Sequence, residues 1–428
     1  MKPVSLPAAL FVANRKRLTQ RLPASSVAIL NANDIMPTNA DGTMGHLQNA
    51  DLFYLTGVHQ EETVLLLAPG AFDPNHREVL FVREPNKHLA IWEGHKLTPA
   101  QATKISGIKT VKWLSEFPTV FRTVMCEVEN VFLNTNEHQR AATDVETRDA
   151  RFIRECQRQF PLHRYHRLAR LMHALRVVKS QPEVNLIQQA CDLTGRGFVR
   201  VCKRMKPGIN EAEIEAELAH EFIRHKGAFA YPPIIASGAN NNILHYNQND
   251  QPCKQGELVL LDVAAGLGNY MSDLTRTIPV SGRFTRRQKQ VYNAVLRVFR
   301  QMSKAMVPGK TTKDLRTECE QLVAEECVGL GLLKASALKK QTPENPAAKP
   351  WFMHGVSHPI GLDVHDVTYN HLKIAPGWVM TCEPAIYIAA EGFGVRLENT
   401  ILVTENGPVD LMAKIPIEAA EIEALMNR

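Results

Sequence analysis

Residues 258–280, LVLLDVAAGLGNYMSDLTRTIPV, constrain this chain more than any other stretch. An apolar run leads in from Leu258. Gly266, Leu267, Gly268 and Asn269 supply turn residues, and residues 270–280 read as a second strand. Folded as a hairpin about the midpoint of Leu267 and Gly268, the chain sets Asp262 opposite Asp273. Directly opposed residues have Cβ atoms roughly 4.5–5.5 Å apart, and like charges so placed are destabilising. A cation between them removes the objection.

A second stretch repeats the device. Residues 379–389 (VMTCEPAIYIA) and 395–404 (VRLENTILVT) read as strands flanking Glu391, Gly392, Phe393 and Gly394. Folding about the midpoint of residues 390 and 391 sets Glu383 opposite Glu398. Strand periodicity puts Arg396 on the face of Glu398 and Tyr387 on the face of Glu383. One acid alone would read as a solvated strand end. Four acids in two mirrored pairs on apolar strands read as a four-carboxylate site, because buried carboxylates need a partner or a metal.

Residues 353–366, MHGVSHPIGLDVHD, present three imidazoles. His354 and His358 have the i, i+4 spacing of a helical zinc motif, but no HExxH is present. Gly355, Pro359 and Gly361 argue for a loop that aims His354, His358 and His365 from rigid turns. His163, His166 and His173 lie on a basic stretch, residues 151–178, that reads as one long helix bridging two domains. Their spacing does not bring all three to one helical face and no acid accompanies them, so they read as structural.

A chain of 428 residues is long enough for two domains. Short strands and helices alternate over roughly the first 160 residues, including a strand over 51–57, which predicts an α/β domain. A boundary is expected at 165/166, with an α+β domain carrying the acids over 166–428. The net charge of +6 is spread without a long basic run and does not argue for nucleic acid or a membrane surface. The eight cysteines show no CxxC spacing, so reduced thiols in a cytoplasmic protein are expected. No stretch approaches the roughly 20 apolar residues of a membrane span.

Taken together, the chain resembles the proline-specific metallopeptidases of the creatinase/methionine aminopeptidase, or pita-bread, superfamily, and among them the aminopeptidase P branch. The resemblance is carried by ILHY (243–246), LLDVAAGLGNYMSDLTRTIPVSGRFT (260–285), HGVSHPIGLDVHD (354–366), EPAIYI (383–388) and GVRLENTILVT (394–404). QNADLFYLTG (48–57) and AIWEG (90–94) support it in the N-terminal part, where the resemblance implies a creatinase-like α/β fold. Asn399 follows Glu398 where near relatives carry an acid, and Pro359-Ile360 replaces a usual aromatic–aliphatic pair. Neither change removes a ligand.

The resemblance implies five metal ligands, Asp262, Asp273, His358, Glu383 and Glu398. Asp273 and Glu398 would bridge two divalent ions, with Asp262 completing one site and His358 and Glu383 the other. Oxygen ligands with one imidazole favour Mn²⁺, with Co²⁺, Fe²⁺ or Zn²⁺ also able to bind. It further implies attack on the Xaa-Pro bond by a metal-bridging hydroxide, with Glu383 as proton shuttle. His245 and His365 would contact the substrate and intermediate. His354 would line the proline pocket, Arg396 would contact the substrate, and Tyr387, on the face of Glu383, would contact the site. Trp92 would reach a neighbouring subunit, in a homodimer or homotetramer. The expected substrates are peptides with proline second. Prolidase action on Xaa-Pro dipeptides is the alternative, and a non-catalytic pita-bread binding protein a remote one.

Overall fold

The computed structural model describes residues 4, 6–141, 144–342 and 344–427; Pro343, within the polar stretch 336–349, lies outside them. The chain divides into two compact units, Ser5–Arg176 and Val177–Arg428.

The first unit is built on one six-stranded mixed sheet. Its strands run in the order Thr110–Trp113, Glu78–Val82, Val64–Leu67, Ser26–Asn31, Asn130–Leu133 and Arg164–Arg167. The central strand Ser26–Asn31 is buried throughout. Val27, Ile29, Leu66, Phe81 and Val131 form a core with Phe121 of the helix Phe117–Met125. The expected α/β character is therefore present, with three local differences.

Residues 50–56 form a helix, not a strand. The Asn49 side chain accepts hydrogen bonds from the backbone N–H groups of Asp51 (3.0 Å) and Leu52 (3.1 Å), satisfying two donors that a first helical turn leaves open. The stretch expected as one helix over 151–178 is broken into the helix Arg148–Gln159, the edge strand Arg164–Arg167 and the helix Ala169–Arg176. Pro161 ends the first piece, and pairing with Asn130–Leu133 captures the strand. That pairing also moves the domain boundary from 165/166 to 176/177. His163 Nε2 lies 2.8 Å from the Met125 carbonyl, and His166 Nε2 lies 2.9 Å from Asn130 Oδ1, both structural contacts.

The second unit holds two hairpins. In the first, Leu258–Asp262 pairs with Thr275–Pro279, and beyond a break Ala265–Leu267 pairs with Tyr270–Met271. The register sets Asp262 opposite Thr275, two residues from the expected Asp273. The cause is the turn. Gly268 (φ 58°) and Asn269 (φ 67°) both take left-handed backbone, so the chain reverses between them rather than between Leu267 and Gly268. A slip of two residues keeps each side chain on its face, because strand side chains alternate with period 2.

The second hairpin has the expected register. Cys382 pairs with Asn399 in one ladder and Ala385 with Arg396 in the next, so Glu383 and Glu398 occupy matching positions at the break between ladders. Their backbone N–H groups turn outward, Glu383 to the Val356 carbonyl (2.9 Å) and Glu398 to the Thr275 carbonyl (3.0 Å). An isolated bridge between Thr275 and Glu398 joins the two hairpins side by side. The helices Gln181–Arg204, Glu211–Arg224, Arg286–Ala305 and Thr312–Gly329 flank these sheets, each started by a capping box.

Candidate metal centre

The hairpin breaks deliver the acids to one place. Asp273, His358 and Glu398 each offer a ligand atom, and these atoms lie within 4.8 Å of one another. The side chains of Asp273 and Glu398 are almost wholly buried. His358 Nε2 stands 3.5 Å from Asp273 Oδ2 and 3.7 Å from Glu383 Oε1. Its Nδ1 lies 3.0 Å from the Pro359 carbonyl. A carbonyl only accepts, so Nδ1 donates a hydrogen to it, and this turns Nε2 toward the acids.

Asp262 and Glu383 stand at the flanks. Asp262 pairs with Arg396, and the Tyr231 hydroxyl lies 2.6 Å from both Asp262 Oδ1 and Asp273 Oδ1. Arg396 is itself buried. It donates from Nη1 to the Tyr387 hydroxyl (2.7 Å) and from Nε to the Thr275 hydroxyl (3.0 Å). The Tyr387 hydroxyl lies 3.0 Å from His354 Nε2, and His354 Nδ1 lies 3.5 Å from Glu383 Oε2. A ring of contacts thus runs from Asp262 through Arg396, Tyr387 and His354 to Glu383. The His365 ring stacks on His358, with centroids 4.0 Å apart and 18° between planes. His245 is exposed after the short helical turn Gly238–Asn242, near enough to bear on the protonation of His354. Trp92 belongs to the first unit, where it ends the helix Lys87–Trp92 and is 76% exposed.

The electrostatics are those of a site short of positive charge. Burial pushes Glu383 up to about 7, with Asp273 and Asp262 adding to it against His358 and Arg396. Burial and then Asp273 hold Glu398 well above the ordinary carboxylate range. Burial also raises Asp262, although Arg396 opposes it. Burial alone would push the His358 imidazole down, but the bond to Asp273 and the charge of Glu383 raise it. Burial, helped by Arg396, drops His354 to about 3, so that imidazole is neutral. Four crowded carboxylates with one imidazole beside them fit divalent cations, which would offset the repulsion among the acids.

Two functional side chains have no signal in the sequence reading. Tyr231 lies in the bend between Ala228–Phe229 and Ile234–Ser237, and only a hydroxyl in an otherwise apolar run marks it. Arg276 is fully buried behind Glu398. Its Nη1 donates to the carbonyls of Thr275 (2.9 Å) and Glu398 (2.8 Å), and its Nη2 donates to Asn399 Oδ1 (2.8 Å). Asn399 in turn donates to Asp410 Oδ2 at 2.7 Å. Asn399 thus links the Arg276 guanidinium to the Asp410 carboxylate.

The chain matches the model of metallopeptidase family M24 over residues 185–405 and that of the aminopeptidase P N-terminal domain over residues 11–132. It is 32% identical to the Xaa-Pro aminopeptidase of Haemophilus influenzae, covering 99% of this chain and 98% of that one. It is 31% identical to Xaa-Pro aminopeptidase 3 of Homo sapiens, covering 89% and 77%. Aminopeptidase PepP of Pseudomonas aeruginosa superposes with a TM-score of 0.90 at 30% identity, covering 100% of this chain and 99% of that one. Zinc-substituted aminopeptidase P of Escherichia coli in complex with product superposes with a TM-score of 0.88 at 31% identity, covering 99% of each. With its N-terminal domain and its pita-bread catalytic domain both matched, the chain belongs to metallopeptidase family M24, in the aminopeptidase P group.

Proposed function

We propose that this protein is a dinuclear-metal exopeptidase that releases the N-terminal residue of peptides with proline second. The convergence of Asp273, His358 and Glu398 within 4.8 Å, flanked by Asp262 and Glu383, carries the reading. Relatives that share the full length and are named Xaa-Pro aminopeptidase support the substrate class.

In this reading Asp273 and Glu398 would be shared by the two ions, Asp262 would help hold one, and His358 with Glu383 would help hold the other. The oxygen-rich set favours Mn²⁺. When bound, two divalent ions act as Lewis acids and lower the pKa of water. The protein groups do the rest. Glu383 takes a proton from water and returns one to the leaving proline nitrogen. His245 and His365 donate to the oxygen that gains charge. Neutral His354 and Tyr387 line the proline side. Arg396 pairs with Asp262, holding it in place and opposing the effect of burial on its charge. Trp92, exposed on the first unit, would meet a second copy in a homodimer or homotetramer. The eight unpaired cysteines support a reducing cytoplasm.

The test is mass spectrometry of the products from an Xaa-Pro dipeptide and an Xaa-Pro-Yaa-Yaa tetrapeptide with Mn²⁺. Release of the first residue from the tetrapeptide is expected. Cleavage of the dipeptide alone would make the protein a prolidase.

A further inference from the structure

A buried ion pair stands outside the metal centre and takes no part in the chemistry above. The side chains of Lys179 and Asp366 are each 1% exposed, and Lys179 Nζ lies 2.9 Å from Asp366 Oδ2. Lys179 sits just ahead of the helix Gln181–Arg204. Its backbone N–H donates to the Gly377 carbonyl at 2.8 Å, two residues before the strand Val379–Cys382. Asp366 closes the histidine loop, and its Oδ1 accepts from the Val367 N–H at 2.9 Å.

The pair reaches the metal centre through one carbonyl. The Asp366 N–H donates to the Pro359 carbonyl at 2.9 Å. The same carbonyl accepts from His358 Nδ1 at 3.0 Å. His358 in turn stacks on His365. Gly361 records how closely the loop is folded around the pair. A Cβ at that position would lie 2.2 Å from Asp366 Oδ2 and 2.9 Å from Lys179 Cε. Gly361 does not have a positive φ, so the space taken by the ion pair, rather than the turn, demands glycine there. Its carbonyl accepts from the Met271 N–H of the first hairpin at 2.8 Å, tying the loop to the strand pair that leads to Asp273.

A buried pair of this kind adds little net stability over an apolar pair of equal volume, so its presence points to another role. We propose that Lys179 is a positioning residue. With Asp366 it fixes the Pro359 carbonyl, and through it the orientation of His358 and the His358–His365 stack. One ion pair then sets the aim of both a metal ligand and a substrate-contacting imidazole, roles that rest on the proposed function above.

The test uses the full chain, freed of metal and titrated with Mn²⁺ by calorimetry. Two variants are compared with wild type. Lys179→Met/Asp366→Asn removes both charges at once, leaves no orphan ion and keeps the acceptor for Val367. Gly361→Ala keeps both charges and forces the pair apart. In each, Mn²⁺ affinity is expected to fall about 10-fold to 100-fold, the scale for groups that orient a ligand. kcat on the tetrapeptide should fall with it, while the melting temperature of the metal-free double variant stays at the wild-type value. Wild-type Mn²⁺ affinity in both variants would overturn the proposal. So would a loss of the metal-free fold in both, which would assign the pair to stability alone. If wild type binds Mn²⁺ but releases no residue from the tetrapeptide, the functional reading fails while the affinity comparison still decides the positioning role.

Discussion

The Tyr231 hydroxyl lies 2.6 Å from Oδ1 of Asp262 and 2.6 Å from Oδ1 of Asp273. A hydroxyl has one hydrogen and can donate it to one oxygen at a time. Burial, and then the charges of Asp262, Asp273 and Glu398, push its pKa well above the ordinary phenol value, so the hydrogen stays on it. Tyr231 is therefore a fixed donor between one flanking acid and one central acid.

Tyr231→Phe keeps the ring and removes that donor. Expected is a loss of about 10-fold to 100-fold in Mn²⁺ affinity or kcat, as for other groups that hold a ligand in place. Metal titration and steady-state kinetics on the same preparation check it. Unchanged values in both would mean that the acids orient themselves.

Metal removal has a pH signature. In the metal-free protein Glu383 titrates near 7, against an ordinary value of 4.5. Between those values the folded protein holds a proton that the unfolded chain has lost. Stability therefore decreases as pH rises from about 4.5 to about 7, and the contribution is gone above that. Glu398 and Asp262, also raised by burial, act in the same direction. Bound divalent ions take the place of those protons, and binding to the folded state alone stabilises it by about 2.7 kcal/mol at 100 times Kd. Melting temperatures with chelator should fall across this range, and with saturating Mn²⁺ the slope should flatten. Chelation should also abolish activity, with Mn²⁺ restoring it best.

How far the sequence disclosed this site depends on which physical signal each residue leaves. Glu383 and Glu398 were readable because the second hairpin has a symmetric turn and an uninterrupted register. Asp262 and Asp273 were readable despite a wrong register, because a slip of two residues preserves the face. Their true offset depended on Gly268 and Asn269 both accepting positive φ, which the run of turn residues did not resolve. His358 could be told from its neighbours only by family resemblance, since its Nδ1 contact is to a backbone carbonyl. Tyr231 and Arg276 left no periodic trace. In the first unit, the helix at Ala50–Thr56 was hidden because DLFYLTG suits a strand equally well, and the side-chain bonds of Asn49 decide it.

Asp273→Asn tests the central acid. Asp273 shares Tyr231 with Asp262, faces His358 Nε2 at 3.5 Å and lies within 4.8 Å of a Glu398 ligand oxygen. In the proposed site, Asp273→Asn removes a charge shared by the two ions while leaving a weaker oxygen donor. Expected are the loss of at least one metal per chain and a rate lower by at least ~10³, the scale of several kcal/mol in the barrier. The fold should survive, because the metal-free site is relieved of one of several crowded charges. Elemental analysis with kinetics decides it, and two metals with near wild-type rate would rule out the central role.

The last prediction separates the imidazoles. His358 turns Nε2 toward Asp273 and Glu383 and is locked by its Nδ1 contact to Pro359, the arrangement of a ligand. His365 covers the face of that ring without joining the cluster of ligand atoms, and His245 stands exposed on a separate segment. Both are proposed to donate to the oxygen that gains charge as the peptide carbonyl is attacked. A donor so aimed is worth roughly 10²–10³ in rate. His245→Ala and His365→Ala should therefore each lower kcat by about that factor, with metal content at the wild-type level. His358→Ala should lower metal content together with rate. The stack adds a condition, because losing the His365 ring frees one face of His358. His365→Phe should restore metal affinity if His365→Ala weakens it, yet leave kcat low. Bound metal and kcat measured on the same four preparations settle the assignment. Loss of metal in His365→Phe with retention in His358→Ala would reverse the two roles.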